Sequence, residues 1–249
     1  MLTIRTLTRP RPSSCAFVAG AAALALALTI AGPASAQAAP TPYPQRAPLE
    51  QYQLPSQADE IILARSAAPP AISDKAEVLT LGAQGYETAV KGTNGFVCIV
   101  ERSWASGFAD PDFWNPKIRG PICFNPASAR SVLPTYLQRS QWVLAGDSKA
   151  RLIEKTKAAI ASGQIKPPEM GAMCYMQSKG GAIGDGSGPW HPHLMFFLPH
   201  DAAGPGAWGA NLHGSPVMGG DESDIDPAVI YFVVVANWSD GTPGPMKGM

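Results

Sequence analysis

The side chains of this 249-residue chain that could carry chemistry fall mostly in one stretch. All four histidines lie between His191 and His213, and two of them, His191 and His193, stand in WHPHLMFFLPH. On a β-strand, residues two apart share a face, so both imidazoles would point the same way, with Met195 beside them. Two imidazoles so placed can converge on one metal ion, which an i, i+2 pair on a helix cannot do. Met170, Met173, Cys174 and Met176 precede them within seven residues. If the Met-rich segment pairs with the His strand, Cys174 and Met176 share a face that could also carry His193 and Met195. Thioether, thiolate and imidazole ligands suit copper, and three His or Cys ligands suit zinc. The same residues also read as packing groups, because methionine fills gaps in cores and strand histidines often bond to neighbouring backbone.

Glu101 is the candidate catalytic carboxylate. It ends the apolar run Phe96-Val97-Cys98-Ile99-Val100, and a carboxylate emerging from a rigid strand can serve as a general base. The alternative is an ordinary ion pair with Arg102. Trp104, Phe108, Phe113 and Trp114 follow, either lining an apolar pocket or covering a sheet face. KGGAIGDGSGP, residues 179–189, holds five glycines but lacks the GK[ST] of a phosphate loop. Ser187 lacks the flanking glycines of a nucleophile elbow. The acidic run Asp221, Glu222, Asp224, Asp226 lacks EF-hand spacing and reads as a solvated loop.

The elements that must position these groups begin after a leader. Arg5, Arg9 and Arg11, an apolar stretch of about 17 residues and Pro33-Ala34-Ser35-Ala36 make residues 1–36 a secretory signal peptide. Removing its three arginines leaves 16 basic and 19 acidic residues, so the formal charge moves from zero to −3. That balance gives no basic excess for nucleic acid. No other segment is long and apolar enough to span a membrane, so a periplasmic or extracellular protein is expected. Export permits a disulfide. Of the three remaining cysteines, Cys98 and Cys123 are the preferred pair, stapling the Trp and Pro-rich loop between them and leaving Cys174 over. Three reduced thiols are the alternative.

Residues 37–56 carry five prolines and few large aliphatics and read as a Pro/Gln-rich tether or extended arm. A single domain over residues 57–249 follows. A helix is expected at 57–66 with Ser56 as N-cap, then strands at 77–81, 86–91 and 96–101. Asn94-Gly95 predicts a hairpin between the second and third strands. Residues 127–144 are helical in tendency, with a break or a demoted first turn at Pro134. A further helix, capped by Asp147 and ended by Gly163, carries Leu152, Ile153, Thr156, Ala159 and Ile160 on one face. Strands at 171–177, 193–198 and 229–236 complete the set. This order predicts an α+β fold, a mostly antiparallel sheet with two or three helices. Its 25 Gly and 25 Pro call for long loops.

NGFVCIVERSW, DFWNPKIRGPICFNP and WHPHLMFF resemble segments of an uncharacterised group of bacterial exported proteins over roughly residues 75–240. The resemblance implies a shared exported domain and transfers no catalytic residue. Two functional expectations stand. One is an exported protein binding copper or zinc through His191 and His193, with Met195 and Cys174 as auxiliaries. The other is a secreted or envelope binding domain without metal, whose Trp/Phe-rich loop meets a protein or small-molecule partner.

Overall fold

A computed structural model describes residues 42–185, 191–200, 207–219 and 225–245. The expected leader, Ser187 and Asp221, Glu222 and Asp224 lie outside these residues. All described residues belong to one compact unit, Pro40–Met249.

The fold is α+β, an eight-stranded, mostly antiparallel sheet with five α-helices among the described residues. In chain order come α1 (Gln57–Arg65), α2 (Pro70–Ser73), β1 (Glu77–Leu81), β2 (Tyr86–Val90), β3 (Val97–Glu101) and β4 (Gly120–Phe124). Then follow α3 (Pro126–Ser131), α4 (Leu133–Leu144), α5 (Lys149–Ala161), β5 (Met173–Met176), β6 (His193–Pro199), β7 (Val217–Gly219) and β8 (Ala228–Val234). The sheet order is β2-β1-β3-β4-β5-β6-β8-β7, and only β1 and β3 run parallel.

That parallel pair corrects the expected hairpin. Asn94-Gly95 does form a local turn, with Gly95 at φ 77° and the Asn94 side chain accepting from the Phe96 N–H at 3.1 Å. Yet β2 does not pair with β3. It folds back on β1 through Gly82 and Gly85, joined at 2.7 Å, and the chain then crosses to place β3 on the other side of β1. Burial explains the choice. β2 exposes Glu87 and Thr88 and suits an edge, whereas Cys98, Ile99 and Val100 are wholly buried and need neighbours on both sides.

Alternation along β3 sends Cys98 and Val100 to one face, where Val78 and Cys123 join them beneath Ala64, Ala67 and Ala68 of α1 and the turn after it. These small residues let the helix approach the sheet closely. Ile99, Ile122, Phe124, Cys174, Met176, Met195 and Phe197 lie on the opposite face, against Val132, Leu133 and Tyr136. Cys98 and Cys123 are direct cross-strand partners and form the expected disulfide, with Cys174 buried and free.

Helix ends follow local chemistry. The Ser56 side chain caps α1 by accepting from the Asp59 N–H at 3.1 Å. The helical tendency of 127–144 resolves into α3 and α4, which meet at Val132; Pro134, lacking an N–H, sits in the first turn of α4, where that donor is not needed. Ser148 rather than Asp147 caps α5, because Asp147 is held by Lys155. Residues 42–56 are an arm laid on the domain, not a free tether: Tyr52 is buried, its hydroxyl donates to the Trp114 carbonyl at 2.8 Å, and Tyr43, Ala47 and Leu49 pack nearby.

Candidate functional site

The face of the sheet opposite α1 floors a cavity of about 1210 Å³, roofed by α3, α4 and the segment after β3. Small-molecule sites commonly enclose roughly 300–1,000 Å³ within mostly apolar walls that carry a few polar groups. Ile99, Met195, Phe197 and Phe232 rise from the floor, with Trp104, Phe108 and Tyr136 above.

Glu101 is the polar group this geometry singles out. The alternation that sends Val100 toward α1 turns Glu101 into the cavity and sends Arg102 back to the α1 side. The expected alternative of a Glu101–Arg102 ion pair is therefore not formed. Arg102 is buried and bonds Glu60 at 2.9 Å and the Tyr52 carbonyl at 2.6 Å. Room for the carboxyl comes from Gly120, its cross-strand partner: a Cβ there would stand 2.5 Å from both Cγ and Oε1 of Glu101. Among the described residues the Glu101 carboxyl has no hydrogen-bond or ion-pair partner. Loss of hydration raises its pKa to about 8, so it holds its proton at neutral pH.

Two tyrosines stand close enough to feel that charge. Tyr86 donates to the Val100 carbonyl at 2.7 Å, and Tyr136 sets its ring edge-on to Phe124 at 5.3 Å between centroids. Burial raises both phenols, and the negative charge of ionised Glu101 raises them further. Arg139, one turn after Tyr136 on α4, lies buried in the roof. It bonds Asp226 at 2.6 Å, reaches the carbonyls of Trp104, Ala105 and Ser106, and sits 4.6 Å over the Phe108 ring; its Nε has no partner among the described residues.

The His and Met segments form the far end of the same floor. β5 and β6 do pair, with Cys174 opposite Met195 and Met176 opposite His193, which puts all four on one face. Glu101 and His193 stand three strands apart, roughly 14 Å across the sheet before the offset of two residues along it. His193 Nδ1 lies 2.7 Å from the His191 carbonyl, and His191 Nδ1 lies 3.1 Å from the Pro245 carbonyl. His193 also packs against Phe232, and burial lowers its pKa, keeping it neutral. Burial pushes the Cys174 thiol well above its ordinary value, so no thiolate is available at neutral pH without a cation. Among the described residues, no group of three or more His, Cys, Asp or Glu side chains converges to hold a metal ion.

Other candidates resolve into structure. Trp104, Phe108, Phe113 and Trp114 are all buried, Trp104 and Phe108 beside the cavity, so these four rings offer no surface to a protein partner. Asp185, in the described part of the Gly-rich loop, is held by Lys117 at 2.9 Å and by the Tyr43 hydroxyl. Sequence reasoning found Glu101 but missed Gly120, Tyr86, Tyr136 and Arg139. For the last two a signal existed, since Tyr136 and Arg139 at i, i+3 share a helix face.

No helix of the described residues is long and apolar enough to cross a membrane. No family model, curated protein or solved structure matches the chain.

Proposed function

We propose that the protein is an exported domain that binds a small organic molecule in the sheet-face cavity, with Glu101 as the group that reads it. The observation carrying this reading is a carboxyl that has no partner among the described residues and opens into a cavity of about 1210 Å³ with largely apolar walls. A carboxyl without partners is costly inside a fold, and perturbed carboxyls in clefts cluster at sites where a ligand or reaction uses them. Export is supported by the leader pattern of residues 1–36 and by the Cys98–Cys123 disulfide, which an oxidising compartment favours. The test is titration of the purified chain with the neutral, polarity-sensitive dye Nile red. Saturable binding at one site per chain, lost in Ile230→Trp, which fills the cavity from its floor, supports the reading. Absence of saturable binding overturns it.

One observation favours the copper or zinc reading as a second function. Both His191 and His193 place Nδ1 against a backbone carbonyl, an arrangement that orients imidazoles in metal sites. Cys174, Met176 and Met195 adjoin His193 on the same face. Metal analysis after copper and zinc reconstitution decides this reading. Stoichiometric metal, lost in a His191→Ala/His193→Ala variant, supports it, and no retained metal refutes it.

A further inference from the structure

The chemical class of the cavity's ligand follows from its charges. The proposal rests on the cavity reading above. Two guanidinium groups lie beside the site, and both are already compensated. Arg102 is wholly buried and paired with Glu60, and Arg139 is paired with Asp226 and three carbonyls. Lys166 borders the cavity but its side chain is exposed. Glu101 is the acidic group of the floor, and among the described residues no cation bonds its carboxyl; Asp110, in the segment after β3, accepts from the Asp112 N–H at 2.7 Å. Tyr86 and Tyr136 stand close enough to feel its charge, and Trp104 also lines the cavity. Aromatic faces attract cations, most strongly where water is excluded, and a carboxyl that gives up its proton to solvent as the cation enters supplies the complementary anion.

We propose that the cavity takes an organic cation, an amine or ammonium compound with an apolar body, whose charged nitrogen is held by the Glu101 carboxylate beside Tyr86 and Tyr136. The apolar body lies along the floor toward Met195, Phe197 and Phe232. The rival class is an organic anion, which would have to draw on Arg139 and its unpartnered Nε. Such a ligand would compete with Asp226 for the guanidinium and would leave Glu101 unused.

The experiment compares three probes with one carbon chain, octylamine, octan-1-ol and octanoate, each displacing Nile red from the intact chain at pH 7.5. The amine is expected to bind about tenfold or more tighter than the alcohol, with octanoate weakest. Glu101→Gln, close to the wild-type shape, is expected to abolish the preference for the amine while still binding the alcohol. Equal or tighter binding of octanol or octanoate in the wild type overturns the cation assignment and leaves the cavity reading standing. Dye binding that none of the three displaces also overturns the cation assignment. Failure of the dye itself to bind removes the cavity reading and this inference with it. The wild-type comparison decides the matter even if the variant does not fold.

Discussion

Glu101 should make this protein lose stability as the solution becomes more alkaline, and Glu101→Gln should remove that loss. The folded-state pKa of about 8 stands above the 4.5 of an unburied glutamate. Between these values the unfolded chain has released the proton and the folded chain still holds it, so the folded state binds the extra proton. The contribution is therefore fully present below pH 4.5, declines as pH rises and is gone above pH 8. The difference corresponds to at most about 5 kcal/mol, and water admitted to the cavity brings the expected value to roughly 2–5 kcal/mol. The titratable and charged groups nearest Glu101 are Tyr86 from β2, Arg102 just after β3 with its side chain on the α1 side, Arg119 just before β4, Cys174 from β5, and Tyr136 and Arg139 from α4. The phenols and the thiol are raised, so they do not titrate between pH 4.5 and 8; His193 titrates equally in wild type and variant and cancels. Urea denaturation from pH 4 to 9 measures the effect. The two proteins should have similar stability at pH 4 and diverge progressively, the variant being the more stable at pH 9. Parallel curves, with a difference that changes by less than about 0.5 kcal/mol, would refute a half-buried carboxyl without a partner among the described residues.

Gly120→Ala places a methyl 2.5 Å from the Glu101 side chain, so it should destabilise by about 1–3 kcal/mol, and the double variant with Glu101→Ala should recover most of that in a denaturation cycle. Reducing the Cys98–Cys123 bond, which spans 25 residues of sequence, should lower stability by about 3 kcal/mol, seen as a reduced denaturation midpoint. Cys174 should stay inert to a thiol reagent in the native protein and react on unfolding, since the thiol is buried and its pKa is raised. Glu60→Gln leaves the guanidinium of Arg102 buried without its counter-charge and should cost about 3–5 kcal/mol; a Glu60→Gln/Arg102→Met variant that recovers nothing would contradict that origin.

Local chemistry was legible in the sequence wherever one segment decided its own structure. Ser56 caps α1 because a side-chain oxygen needs only the N–H three residues on, and Asn94-Gly95 turns because its bonds are local. The partner of that turn was not legible. Whether β3 joins β2 or β1 depends on which strand can tolerate an edge, a property of the assembled sheet. That Cys174, Met176, His193 and Met195 could share a face was readable from their alternation once β5 pairs β6, since a slip by one residue would expose the whole apolar set. Glu101 was visible as a carboxylate closing a buried strand. Its isolation was not, because that depends on Glu60 claiming Arg102 and Asp226 claiming Arg139 across 42 and 87 residues of sequence. Gly120 gave no sign of its role, since a glycine beside proline reads as a turn until its strand partner is known.

The most direct test of Glu101 as the ligand-reading carboxyl of the cavity is a ¹³C NMR titration of its side chain, with and without octylamine. Alone, the carboxyl should titrate near pH 8. With the amine bound it should be ionised throughout the neutral range. A midpoint near 4.5 that the amine does not move would contradict the account.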